Sequence, residues 1–142
     1  MYYNYVNKME MAASLFNEGF NCSQALLTAY GVELGLNREV ALKIASAFGG
    51  GMGRMGDTCG AVTGAFMLIG LKYGTASTDK NSKMKIYGLV EEFAKRFVSR
   101  NNSIVCRELV GIDVRLPESS KIIKEKCPKY IRDACEIIEG IL

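Results

Sequence analysis

The sequence predicts an all-α fold, a compact bundle of about six to eight helices. Three observations lead there. Apolar residues recur every three to four positions along almost the whole chain, and the strict alternation of a half-buried strand is missing. The two prolines, Pro117 and Pro128, both fall late, so helices are free to extend before them. The 142 residues are 49% hydrophobic and 23% charged, the balance of an ordinary globular protein, and one helical domain over 1–142 is expected.

The first helix is predicted from Asn4 to Asn17, with Val6, Met9, Ala13 and Phe16 on one side and Gly19 as its stop. Asn21 or Ser23 caps a second through Ala25, Leu26, Ala29 and Tyr30, which weakens between Gly31 and Gly35. Asn37 caps a third carrying Val40, Ile44, Ala47 and Phe48. A fourth, capped by Asp57 or Thr58, runs from Cys59 to Tyr73; it is apolar on all sides, which predicts the most buried helix of the bundle. Gly60 and Gly64 stand four apart on it and let a neighbouring helix approach closely. Thr78-Asp79-Lys80 opens a long amphipathic fifth helix through Ile86, Val90, Phe93 and Phe97. Ser103 caps a short helix holding Cys106, Leu109 and Val110, and Pro117-Glu118 begins another. Cys127-Pro128 opens the last, through Ile131, Ala134, Ile138 and Leu142, with proline in its favoured first-turn place.

Between the third and fourth helices lies Gly49-Gly50-Gly51-Met52-Gly53-Arg54-Met55-Gly56. It contains the letters G-x-G-x-x-G of a dinucleotide loop, but that fingerprint needs a preceding strand, and Val40 to Phe48 reads as a helix. The Gly-Lys-Ser/Thr ending of a phosphate loop is also missing. Two readings remain: backbone N–H groups gathered around an anionic centre near Cys59, or a tight turn between packed helices.

Composition narrows the function classes. A net charge of +3, with basic residues interleaved among Glu91 and Glu92 and no basic run, gives no footprint for nucleic acid. The start of the chain does not read as a secretory signal, and the longest uncharged apolar run, Thr58 to Leu71, is short for a membrane span, so a cytoplasmic protein is expected. There is no histidine, which removes Cys-His and Ser-His-Asp nucleophile systems and His-bearing zinc fingers. The chemistry left is that of five cysteines, which in a reducing compartment are thiols, metal ligands or redox groups.

Cys22, Cys59, Cys106 and Cys127 each fall at or near a predicted helix start, where free N–H groups and the helix dipole lower a thiol pKa. They stand 37, 47 and 21 positions apart, so no Cys-x-x-Cys pair exists and any shared site must be assembled by the fold. Cys135 lies mid-helix among Ile131, Ala134 and Ile138 and reads as a core residue.

Gly19-Phe20-Asn21-Cys22-Ser23-Gln24-Ala25, the glycine loop, Cys59-Gly60-Ala61-Val62-Thr63-Gly64, Cys106 and Cys127 together resemble the C_GCAxxG_C_C family of small redox-active proteins. The resemblance places the family's cysteines on Cys22, Cys59, Cys106 and Cys127. It departs at one point: the family label has glycine before the motif cysteine, whereas here Cys59 precedes Gly60. It implies redox function without naming a reaction.

Four thiolates without histidine suit a [2Fe–2S] cluster used for electron transfer, with Cys22, Cys59, Cys106 and Cys127 as its ligands. Zinc would take the same set, although its sites draw ligands in close pairs, or the site holds no cofactor at all. The alternatives are thiol–disulfide exchange by a low-pKa pair and a binding domain with structural cysteines. An unidentified redox partner is implied, and self-association as a homo-oligomer is left open.

Overall fold

The computed structural model describes residues 7–142. Within them the chain forms seven α-helices and no β-strand: α1 (Lys8–Asn17), α2 (Cys22–Gly31), α3 (Arg38–Ala45), α4 (Gly60–Tyr73), α5 (Lys80–Asn101), α6 (Cys106–Val110) and α7 (Ser119–Ile141). A single 3-10 turn, Ser46–Phe48, extends α3. The predicted start of the first helix, with Asn4 and Val6, lies outside the described residues; Asn7 caps α1 by accepting from the Met9 and Glu10 amides.

Local signals set most of the helix starts. The Asn21 side chain accepts from the Gln24 amide while the Gln24 side chain accepts from the Asn21 amide, a reciprocal capping box at the start of α2. Asn37 caps α3 through the Val40 amide and Asp79 caps α5 through the Ser82 amide. Two predicted caps differ: α4 begins with Cys59 itself in the cap position, and α6 begins after Val105, with the Ser103 hydroxyl accepting from the Val105 amide.

The centre of the bundle is α2 packed along α4. Eight of ten residues of α2 are buried against eight of fourteen in α4, so α2, and not α4, is the most completely buried helix. The two helices meet where α4 has no side chain. A Cβ on Gly60 would stand 2.9 Å from the Ser23 backbone nitrogen, and one on Gly64 would stand 2.8 Å from Leu26 Cβ. Alongside this contact the buried Thr63 hydroxyl donates to Gly60 O and lies 3.4 Å from Ser23 Oγ.

Around that pair, α1 and α3 pack on α2, while α5 and α7 pack on each other and on α4. Phe66 on α4 meets Phe93 on α5 edge to face with ring centroids 5.9 Å apart. Arg100 on α5 pairs with Asp133 and Glu136 on α7. The buried faces of the two small outer helices are turned from the predicted ones. In α1 the core takes Ala12 and Leu15 and leaves Ala13 exposed; in α3 it takes Ala41 and Ala45 and leaves Val40 and Ile44 exposed. Alanine allows the close approach to α2 that the larger residues would block.

The largest departure is at the C-terminal end. The two helices predicted there are one, α7, which runs through Pro128. The apolar stripe Ile123, Cys127, Tyr130, Ile131, Ala134 and Ile138 continues at helical spacing across the proline, whose ring lies on the exposed side. Packing of that stripe outweighs the missing N–H, so Cys127 is a mid-helix residue and not a helix start.

The close contact gives a direct expectation. Gly64→Ala should destabilise the fold by about 1–3 kcal/mol through overpacking. Gly70→Ala, on the same helix with nothing within 4 Å of the added carbon, should be neutral or stabilise by up to about 1 kcal/mol. Urea denaturation of the two variants side by side measures this; equal midpoints would show that α2 and α4 do not touch at Gly64.

Candidate functional site

Three of the four predicted site cysteines sit at helix starts. Cys22 is the first residue of α2, directly after the Asn21 cap. Asn21 also reaches across to the Ser46 carbonyl at 3.2 Å and the Ala45 carbonyl at 3.4 Å, fixing that corner to the end of α3. Cys59 and Cys106 are held by an antiparallel bridge between Thr58 and Val105. The Cys59 amide donates to Ile104 O at 2.7 Å, and the Cys106 amide donates to Asp57 O at 2.6 Å. Two residues distant in sequence thus open α4 and α6 next to each other. Cys127 arrives differently, from the middle of α7, where the helix periodicity turns it inward.

All four line one cavity of about 220 Å³, together with Gly50, Gly51 and Gly60. Phe16, Phe20, Leu109, Val110 and Ile123 close it with apolar surface, and the Tyr130 hydroxyl at its edge donates to Leu109 O at 2.8 Å. Cys59, Cys106 and Cys127 are buried and Cys22 is half-buried. Cys135 does not line this cavity. It is fully buried in the main core, beside the Tyr30 hydroxyl, in agreement with the core reading from sequence.

The thiols are not equivalent. Burial pushes the Cys59 thiol up to about 12, against the opposing pull of the Ala61 and Val62 amides in the first turn of α4. Burial likewise pushes Cys106 up to about 11, aided by the charge of Cys127. Cys22 donates a hydrogen bond to Cys127; that bond and burial raise Cys22, and the same bond lowers Cys127. The expectation that helix starts would lower these pKa values is therefore reversed. The one thiol held down is the one in mid-helix, and a neighbouring thiol is the cause.

The glycine loop makes a tight turn. Gly50, Gly51, Met52, Gly53 and Arg54 all have φ between 61° and 68°, a run of left-handed backbone. The amides of Met52, Arg54, Met55, Gly56 and Asp57 donate to backbone carbonyls of the loop or of Phe48 and are spent on the turn itself, whereas the Gly50 and Gly51 amides, beside the cavity, make no such bond among the described residues. Gly51 is the position that admits no alternative. A Cβ there would lie 2.5 Å from Cys106 Cβ and 2.7 Å from the Asp57 nitrogen. Gly60 is similarly fixed: its missing Cβ would stand 3.1 Å from Cys22 Cβ. The order Cys59-Gly60, reversed from the family label, puts the side chain at the position with room for it.

No sequence motif marks the apolar wall or Tyr130 as site residues; only Phe20 lies in one, next to Asn21-Cys22. Large residues at helical spacing read as core, and they are core as well as cavity wall.

A family model described as "Putative redox-active protein (C_GCAxxG_C_C)" matches residues 20–141. No curated protein and no solved structure matches the chain.

Two outcomes follow from the geometry. Unfolded thiols ionise near pH 8.5, whereas Cys59 and Cys106 stay protonated to about 12 and about 11 in the fold. Between these limits the unfolded chain binds fewer protons, so stability should fall as pH rises, by up to about 1.4 kcal/mol per pH unit for each buried thiol. Urea titrations of reduced protein across that range should show the decline, with a shallower slope for Cys59→Ala. Separately, Gly51→Ala should destabilise by about 2–4 kcal/mol from left-handed strain and overpacking. An unchanged melting temperature would refute the contact with Cys106.

Proposed function

Because the chain belongs to the C_GCAxxG_C_C family of redox-active proteins, we propose that the four-thiol cavity is its working redox site and holds a [2Fe–2S] cluster through Cys22, Cys59, Cys106 and Cys127. The carrying observation is that these four cysteines, from four separate elements, face one cavity while the fifth is packed away. An all-thiol donor set without histidine is what such a cluster takes, with two thiolates on each iron. When bound, the cluster supplies one-electron transfer.

A single zinc ion fits less well. Four bonds of about 2.3 Å in a tetrahedron demand sulfurs all about 3.8 Å apart. Among the described residues no three His, Cys, Asp or Glu side chains are set to hold one metal ion.

The chain's own groups have defined tasks in this reading. Cys22 and Cys127 are neighbours in the cavity, and the proton of one thiol favours negative charge on the other. The Ala61 and Val62 amides stabilise negative charge on Cys59 sulfur. Cys59 and Cys106 must lose protons that burial holds tightly, so ligation releases protons and is favoured as pH rises. The wall formed by Phe16, Phe20 and Ile123 limits water at the sulfurs.

A second reading has its own support in the Cys22–Cys127 pair. In exchange chemistry the Cys127 thiolate attacks a substrate disulfide and releases one thiol. Cys22 then gives up its proton and attacks the mixed disulfide, releasing the second. Two thiols of the protein are oxidised to a disulfide as the substrate disulfide is reduced to two thiols.

Iron and acid-labile sulfide content of protein purified without oxygen separate the readings. The cluster predicts about two irons per chain, lost on Cys→Ser replacement at 22, 59, 106 or 127 and retained in Cys135→Ser. Exchange predicts no iron and a Cys22–Cys127 disulfide after mild oxidation. Neither iron nor that disulfide would sink both.

A further inference from the structure

Beside the thiol cavity lies a larger groove of about 720 Å³, within the size range of small-molecule sites. The two share Phe16, Gly19, Phe20 and Ile123, so one wall separates the groove from the sulfurs. Its floor is apolar, from Phe16, Phe20, Leu116 and Ile123, and its charged lining residues are Arg54 and Lys124. No carboxylate lines it, and neither cation forms an ion pair among the described residues. Glu18, Glu118 and Glu125 adjoin lining residues along the chain but do not line the groove themselves, and Asp113, next to the lining Val114, is paired with Arg115 at 3.0 Å.

Arg54 stands at the end of the left-handed glycine turn, which sets where its side chain departs from the backbone. From there its guanidinium reaches across the groove's rim to the Arg115 carbonyl at 3.2 Å and the Val114 carbonyl at 3.4 Å. Those bonds use one of its two terminal nitrogens. The other remains available to a carboxylate, whose planar pair of oxygens suits a guanidinium.

We infer that this groove binds a small organic carboxylate with an apolar body. Its chain lies along Phe16, Phe20, Leu116 and Ile123, and its charge meets Arg54 and Lys124. The occupant is thereby set against the wall that the groove shares with the thiol cavity. This goes beyond the redox reading and does not require it, since the binding step is independent of iron or of any disulfide.

The test uses the full chain, reduced and freed of metal, with octanoate and its neutral amide as probes in isothermal titration calorimetry. Octanoate should bind at least about tenfold more tightly than octanamide, as expected for loss of one charge-assisted contact. Arg54→Gln and Lys124→Gln should each weaken octanoate about tenfold while leaving octanamide unchanged. Lys124 is exposed on α7, so its variant remains folded even if the glycine turn does not tolerate the change at Arg54. Absence of octanoate binding, equal binding of the amide, or an unaltered affinity in Lys124→Gln would overturn the inference. Iron content is measured separately, so failure of the cluster reading leaves this result standing and the converse also holds.

Discussion

The backbone-to-backbone approach of α2 and α4 governs the site as well as the core. Gly60 and Gly64 present no side chain to Ser23 and Leu26, and the helices close to a separation that any Cβ would prevent. Cys22 opens one of these helices and Cys59 caps the other, so their proximity follows from that contact. The remaining parts are hung from it in sequence. The Thr58–Val105 bridge, anchored at the start of α4, carries Cys106 into place, and Gly51 admits Cys106 by having no Cβ. Last, α7 packs its apolar stripe on the finished pair and brings Cys127 to the remaining side.

Two electrostatic effects compete at these sulfurs, and their magnitudes decide the outcome. A helix dipole favours a nearby anion by about 0.3–1 kcal/mol, rising to about 2 in sheltered geometry. Full burial can shift a pKa by up to about 3–5 units, at about 1.4 kcal/mol each. Cys59 sits at a helix start and still rises to about 12, because its burial outweighs the nearby Ala61 and Val62 amides. Cys127 has no dipole to help it and is lowered because a donor thiol faces it. Burial therefore keeps Cys59 and Cys106 protonated well above the pH at which a free thiol ionises.

Five amides of the glycine loop close a left-handed turn, and the loop acts on the site through the space it leaves empty at Gly51. Met52 and Arg54, the non-glycine members of that turn, hold positive φ at an energetic cost of order 1 kcal/mol each. That cost is sustained where the turn is pinned between the end of α3 and the start of α6.

What the sequence determined by itself is what depends on neighbours a few residues away. Helical periodicity, the caps at Asn21, Asn37 and Asp79, and the small pair Gly60 and Gly64 act over one or two turns, so the all-α class and most helix starts are legible without a fold. Cys135 was legible as core for the same reason, its apolar neighbours being on its own helix. Tertiary structure decided what depends on a packing partner. Which face of α1 and α3 is buried follows from how closely each must approach α2, and alanines win there over Val40 and Ile44. Whether Pro128 starts a helix or sits within one follows from the core surface against which α7 lies, because a long packed stripe outweighs one absent amide. The pKa order of the four thiols needed both burial and the identity of each sulfur's neighbour. Sequence names the cysteines; desolvation and contact distance, which exist only once the helices have closed around them, assign each its chemistry.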